Sequence, residues 1–444
     1  MTAFDLFDPF EQQISTALGE IAPARRPDYL DDILRHTART SQRPRWSFPG
    51  RWLPMEMTLT PVRAGRTSLR LLVLLALVAL LAIAATAILA GSRRPTLLPV
   101  GPAANGALVY PRGGDLYLRD SLAPDAKTRP IITGSAKQSG PYLSPDGQTF
   151  VYAETGVGGD YLWASALDGS NHRQLLSDPI ADGWSQWSWA LDSKHLLVSG
   201  VIRGEPRLYD VAADGKGTRE IVLDGLVAWD AFWSPVDPNT FLLRAQSKSG
   251  LEAMDLYLAS ADGTNLRALG LQGQTAFGPH YTLSGAAWSP DGKTIAYNFI
   301  GLSEKPGSVT THFRVHLVNP DGSNDRPLPG PNDARINEGW PRYSPDGTQL
   351  LVQHFIFSSD QTTTDGSGWM AVLPADGSAP ARDIGPRIEN TTDTDVWADW
   401  SPDGTSVLEG ISETKKSYAV DSLTGKATEL PWTDDTPAWQ RKAP

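Results

Sequence analysis

An all-β chain built from repeated four-stranded units, a seven-bladed propeller, is what three features of the sequence predict. The first is the tetrapeptide Ser-Pro-Asp-Gly. It recurs at Ser144, Ser289, Ser344 and Ser401, each time after an aromatic residue or Leu (Leu143, Trp288, Tyr343, Trp400) and before an apolar run. Degenerate copies at Trp189-Ala-Leu-Asp-Ser and Trp233-Ser-Pro-Val-Asp fill the gap, so the anchors stand 44 to 57 residues apart, near the ~40–50 residue period of a propeller blade. The second feature is a common sequel behind every anchor. The third is a pair of incomplete repeats at the two ends of the region.

Each anchor reads as a strand-turn-strand. Pro presets φ for the turn, Asp bonds nearby backbone N–H groups, and Gly takes the left-handed conformation that closes the hairpin. A third strand follows, as in Tyr161-Leu-Trp-Ala, Arg207-Leu-Tyr-Asp or Asp255-Leu-Tyr-Leu, and ends in a Gly turn such as Asp168-Gly169, Asp214-Gly215, Asp262-Gly263, Asp321-Gly322, Asp376-Gly377 or Thr424-Gly425. A short fourth strand completes the unit. Ahead of the first anchor, Ala107-Leu-Val-Tyr, Asp115-Leu-Tyr-Leu and Pro130-Ile-Ile-Thr make strands two to four of a unit that has no first strand. Pro437-Ala-Trp-Gln is a first strand with nothing after it. Joining the two fragments closes the ring and removes exposed sheet edges.

The aromatic-Ser-Pro-Asp-Gly-x-x-apolar pattern resembles the TolB-type, WD-repeat-like propeller repeat over residues ~105 to 440. That resemblance implies the propeller and export from the cytoplasm; it implies no particular activity, since propellers host binders, scaffolds and enzymes alike.

Composition sets further bounds. Of 444 residues 40% are hydrophobic and 20% charged, a globular balance, and there is no Cys, which excludes disulfides and thiolate metal sites. The net charge of −11 is unevenly placed: the first 70 residues carry ten Arg against eight acidic groups, leaving the remainder at −13. An acidic propeller repels nucleic acid.

Ahead of the propeller the chain divides into four stretches. Residues 1–42 read as a short helical cytoplasmic segment of two amphipathic helices. The first has Asp8 as N-cap, Pro9 at N1, Glu11 at N3 and a face of Phe10, Ile14 and Leu18; the second opens near Pro27 with Leu30, Ile33 and Leu34. Residues 43–70 form an Arg/Trp/Pro-rich juxtamembrane linker whose Trp46, Phe48 and Trp52 suit a membrane interface or packing on the helices. Residues 71–92 carry no charged side chain and, at about 1.5 Å per residue, span a ~30 Å hydrocarbon core as a transmembrane helix. Seventy residues ahead of that run are too many for a cleaved signal. Residues 93–104 are a linker, and 105–444 the propeller. Arg51, Arg63, Arg66 and Arg70 precede the span, against Arg93, Arg94 and Arg112 behind it. With the export that the resemblance implies, this places the N-terminus in the cytoplasm and the propeller outside the cell membrane.

This layout, with the run from Arg39 to Met55, resembles membrane-bound anti-sigma-factor-like and sensor proteins of bacteria. Zinc is not implied, because His36 is the one His there.

The short turns share one face of the propeller, and the loops on the other face vary: Gly273 to Ser284, Gly301 to Thr311, Ser358 to Gly368 and Pro386 to Asp395. Variable loops on a rigid scaffold are where binding concentrates. Trp184, Trp229, Asp230, His280, Tyr281, Arg335 and Asp395 are the candidate ligand- or partner-binding residues on that side. Inter-blade packing is the competing role for Trp184 and Trp229, and the motif residues Asp146, Asp291, Asp346 and Asp403 belong to their turns. No hydrolase elbow, zinc motif, phosphate loop or dinucleotide fingerprint occurs, and the chain shows no hydrolase domain after the propeller. Neither a catalytic residue, a metal ligand nor a cofactor is assigned.

The function read from this is a single-pass membrane-anchored propeller that binds or senses an unknown protein, peptide or small molecule outside the cytoplasm and signals to its cytoplasmic segment. The alternative is a membrane-anchored enzyme with its site in the propeller channel.

Overall fold

The computed structural model describes residues 97–249, 254–271, 281–301, 312–333, 335–356, 366–391, 396–411 and 414–443. The chain divides into the units Met1–Ala90 and Gly91–Pro444, and every described residue belongs to the second. The helical segment 1–42, the linker 43–70, the apolar run 71–92 and residues 93–96 lie outside the described residues, as do long stretches of the four variable loops. No helix among the described residues is long and apolar enough to cross a membrane.

The described residues are all-β. Strands β1 (Ala104–Arg112), β2 (Asp115–Arg119) and β3 (Thr128–Ile132) form a first sheet. It is followed by the meander β4 (Gln138–Leu143), β5 (Thr149–Gly156), β6 (Gly159–Ala166), β7 (Arg173–Gln174), and then by β8 (Ile180–Trp189), β9 (His195–Ile202), β10 (Glu205–Ala212), β11 (Thr218–Glu220). These two meanders form one eight-stranded sheet, joined only where Asp160 on β6 faces Ile180 on β8.

Four separate four-stranded sheets come next. They are β12 (Leu226–Trp233) with β13 (Thr240–Ser247), β14 (Asp255–Ser260) and β15 (Arg267–Ala268); β16 (Tyr281–Trp288) with β17 (Ile295–Gly301), β18 (His312–Val318) and β19 (Arg326–Pro327); β20 (Asn337–Tyr343) with β21 (Gln349–Ile356), β22 (Gly366–Pro374) and β23 (Arg382–Thr391); and β24 (Val396–Trp400) with β25 (Ser406–Ile411), β26 (Lys416–Asp421) and β27 (Ala427–Glu429). The final strand β28 (Ala438–Lys442) returns to the first sheet and pairs antiparallel with β1, Trp439 opposite Leu108, so the order there is β28-β1-β2-β3. This succession of antiparallel meanders, with a late strand completing the first, is a β-propeller.

The Ser-Pro-Asp-Gly turns are built alike in all four copies. The Ser hydroxyl donates to the Asp carboxylate at 2.6 to 2.8 Å and accepts the N–H five residues on at 2.9 to 3.0 Å. The same Asp oxygen takes the N–H two residues on. Burial works against ionisation of Asp291, Asp346 and Asp403, but these bonds outweigh it and hold the three carboxyls below their ordinary range. Such carboxylates are fully used by the turn.

Tryptophan at the end of the inner strand crosses to the previous meander. The indole N–H of Trp189 donates to the Tyr142 carbonyl at 3.3 Å, that of Trp288 to Phe232 at 3.3 Å and that of Trp400 to Arg342 at 3.2 Å.

At the rim a second recurrent device joins neighbours. An Arg in the outermost strand of each of six meanders donates to a backbone carbonyl at the outer turn of the next: Arg129 to Asp168, Arg173 to Ala213, Arg219 to Ala261, Arg267 to Pro320, Arg326 to Asp376 and Arg382 to Ser422. The turns press so closely on the preceding strand that a Cβ on Gly322, at φ +86°, would collide with the Leu269 carbonyl. In β27 the register-equivalent position is Thr428, opposite Ala419 as Arg267 is opposite Leu258, and no arginine stands there. The joint between β24–β27 and the first sheet is made by Asn105, which donates to Asp403 at 2.9 Å and accepts its N–H, while Gln440 of β28 ties the first sheet to the following meander by donating to the Gly147 carbonyl at 2.9 Å.

Candidate functional site

Where the inner strands run into their Ser-Pro turns they surround a cavity of about 390 Å³. Its wall includes Tyr142, Trp288, Arg342, Asp399 and Trp439, and the segment Pro99–Gly101 borders it. That segment is tied down by Arg441 of β28, whose guanidinium donates to the carbonyls of Pro99, Gly101 and Pro145. Ala103 N–H donates to Pro402 at 2.8 Å on the far side. Arg342 is also part of a smaller pocket of about 110 Å³ with Trp340, Gln353, Met370 and Trp397.

Strand alternation explains which side chains reach this space. In β24 Val396, Ala398 and Trp400 are buried while Trp397 and Asp399 are exposed, Trp397 at 53%; successive side chains of a strand point to opposite faces. The same alternation exposes Tyr142 on β4, at 39%. Although that much of Tyr142 is accessible, it is enclosed by the wall. Desolvation, aided by Asp399 and opposed by Arg342, pushes its hydroxyl up to about 12. The phenol is therefore neutral and able to donate.

Arg342 and Asp399 face the same cavity but make no ion pair with each other. Asp399 accepts the Trp400 N–H at 2.9 Å, and no hydrogen bond or ion pair engages the Arg342 guanidinium among the described residues.

None of the described residues singled out by sequence lines this cavity. Trp229 and Asp230 lie inside strand β12 rather than in a loop. The Trp229 carbonyl accepts the Ser199 hydroxyl of the preceding meander at 3.0 Å. Asp230 is 7% exposed and accepts from Arg244 Nε at 2.6 Å; Arg244 donates again to the Leu283 carbonyl of the following sheet at 2.6 Å. A bulge between Ala228 and Asp230 sets this register; such an extra residue re-aims the side chains beyond it. Arg335 is exposed in the turn before β20 and grips Asp333 with two nitrogens, lowering that carboxyl to about 2. Trp184 lies in β8 and Tyr281 opens β16; their side chains, like His280 and Asp395 altogether, lie outside the described residues.

Away from the cavity, Glu338 and His354 face each other across β20 and β21. The imidazole meets Glu338 Oε1 at 3.3 Å and Asp383 Oδ1 at 3.0 Å. With His354 at 2% and Glu338 at 1% exposure, and no hydroxyl nucleophile bonded to the imidazole, this array ties three strands together. No group of three or more His, Asp or Glu is placed to hold a metal among the described residues.

Arg342, Asp399, Tyr142 and Trp397 were not candidates from sequence. The signal was available in retrospect: each sits one or three residues before an anchor Ser or its aromatic partner, on the exposed phase of an inner strand.

No protein-family model matches the chain, and no curated protein matches it. Solved structures do. The chain is similar to TolB from Acinetobacter baumannii at 16% identity, covering 76% of this chain and 66% of that one with a TM-score of 0.42. It is similar to an oligogalacturonate lyase from Vibrio parahaemolyticus at 15% identity, covering 68% and 87% with a TM-score of 0.46. Against a prolyl endopeptidase the identity is 13%, the coverage 78% and 53%, and the TM-score 0.50. At these identities the likeness is one of fold: this chain carries a β-propeller whose structural neighbours include TolB.

Proposed function

We propose that the chain is a single-pass, membrane-anchored binding protein whose propeller takes its ligand at the channel mouth outside the cytoplasm. One observation carries the reading: the mouth holds two opposite charges, Arg342 and Asp399, unspent in an otherwise aromatic and proline-rich wall. Ligand sites are concave, mostly apolar and fitted with a few aimed polar groups. A volume of about 390 Å³ lies in the lower part of the ~300–1,000 Å³ range of such pockets.

The remaining parts of the reading come from sequence. The uncharged run 71–92 is the anchor, and residues 1–42, which resemble the cytoplasmic part of anti-sigma-factor-like and sensor proteins, are the segment to which binding is signalled. The ring has seven blades, the eight-stranded sheet counting as two because one residue pair alone joins its halves, and β28 closes it. An anchored enzyme is the alternative, and it would have to use these same cavity groups.

Two experiments test this. Protease added to spheroplasts is expected to release a propeller-sized fragment while residues 1–70 stay protected; protection of the propeller reverses the topology. Deleting Pro437 to Pro444 is expected to lower the melting temperature sharply, since β1 loses its inner neighbour; an unchanged melt refutes closure by β28.

A further inference from the structure

The channel mouth restricts the chemistry of what it can hold. This inference rests on the binding reading above and names the ligand class. Most other arginines of the propeller are spent on structure: six clamp carbonyls of the next meander, Arg244 neutralises Asp230, and Arg441 ties down Pro99–Gly101. Arg342 breaks that pattern. Its guanidinium faces open space with its fork of five donors, a geometry that matches a carboxylate with two parallel bonds.

Charge then selects among ligands. The other cationic side chain of the wall, Arg441, is taken up by three backbone carbonyls, so a simple anion would meet Arg342 but also the Asp399 carboxylate, within a region carrying −13 outside the first 70 residues. A simple cation would meet Asp399 but also the arginine. Only a molecule with both charges gains from both groups. The exposed ring of Tyr142 and the cavity-lining Trp288 and Trp439 supply an aromatic surface beside them, and large aromatics in a concave wall mark a binding surface.

We propose that the channel mouth binds a small zwitterion, a free amino acid or short peptide with both termini unblocked. Its carboxylate sits on Arg342, its ammonium on Asp399, and its side chain against Tyr142 and the aromatic wall. The neutral Tyr142 hydroxyl is a further donor to the carboxylate or the peptide carbonyl.

Full-length protein in detergent, titrated calorimetrically with L-phenylalanine and glycyl-L-phenylalanine and with their N-acetyl and C-amide forms, tests this. The better of the two zwitterions is expected to bind at least tenfold more tightly than either of its blocked forms. Arg342→Gln should erase the preference for acid over amide, and Asp399→Asn the preference for free amine over N-acetyl, with melting temperatures unchanged because neither side chain holds the fold. Equal affinity for blocked and unblocked forms, or no binding of any probe by the wild type, overturns the zwitterion. The binding reading falls separately: denaturing the purified protein and analysing what it releases by mass spectrometry should identify a bound molecule that Arg342→Gln no longer retains. A neutral sugar found there would refute the zwitterion and keep the binding protein; an empty mouth and no probe binding would refute both.

Discussion

Asp230→Ala is expected to destabilise the propeller by about 3 to 5 kcal/mol, because it strands a buried arginine. The side chains of Asp230 and Arg244 are 10% and 12% exposed, and the carboxylate is Arg244's one acidic partner among the described residues, at 2.6 Å. Removing it leaves the guanidinium with the Leu283 carbonyl at 2.6 Å and the Met254 sulfur at 3.1 Å, neither of which carries a countercharge. The loss spreads beyond one sheet, since Arg244 joins β13 to β16. The double change Asp230→Ala with Arg244→Met should recover most of the stability, because replacing a whole buried pair by apolar groups is often neutral. Denaturant midpoints of the two variants measure this. If Asp230→Ala alone matches the wild type, the pair contributes nothing. Any ligand affinity lost by that variant would reflect the fold.

The second large effect runs the other way, since Glu409→Leu is expected to stabilise. Glu409 is fully buried, neither of its carboxyl oxygens has a hydrogen-bond partner, and the group packs on Gly385 of β23. The register places Tyr110, Tyr152, Val198, Leu243, Tyr297 and Val352 at the same point of the other second strands. Burial pushes its carboxyl up from 4.5 to about 8. The folded state therefore keeps the proton where the unfolded chain has already lost it. Stability from this group is greatest below about pH 4.5, declines as the pH rises towards 8 and then levels off, a change of up to about 5 kcal/mol. The gain in Glu409→Leu should accordingly be large at pH 9 and small at pH 5. A wild type and variant whose stabilities stay parallel across that range would show that Glu409 does not titrate in the fold.

How much of this was legible depended on whether a signal lay within one repeat. The Ser-Pro-Asp-Gly turns were read correctly because Pro, Asp and Gly act on their own few residues, and the carboxylates are spent as expected. Packing of Trp189, Trp288 and Trp400 between units was equally plain from their recurrence. Asp230 was read as a loop residue, because a bulge sets which partner it meets and a bulge leaves no mark in single-sequence periodicity. The rim arginines went unnoticed for a related reason. Five of the six stand four or five residues after a turn glycine, but the partner is a backbone carbonyl 39 to 53 residues on, which carries no residue type to recognise. The channel mouth was hidden because Arg342 and Asp399 look like ordinary polar residues on half-exposed strands; only the convergence of strands from different repeats turns them into a site.

The rim arginines also give the ring a direction of travel. Every one reaches forward, from a unit already synthesised to the outer turn of the unit that follows it, and none reaches back. Each newly made unit thus finds its fastener waiting on the older neighbour, so docking order can follow the order of synthesis. Thr428 ends the series at the one joint where the next unit along is the oldest of all. There the fastener is one side-chain amide, Asn105 on Asp403, and the unit it joins is completed only by β28, which cannot pair until the last residues arrive. The propeller is a zip with a separate clasp, and that clasp lies beside Arg441, the residue that holds Pro99–Gly101 at the channel mouth.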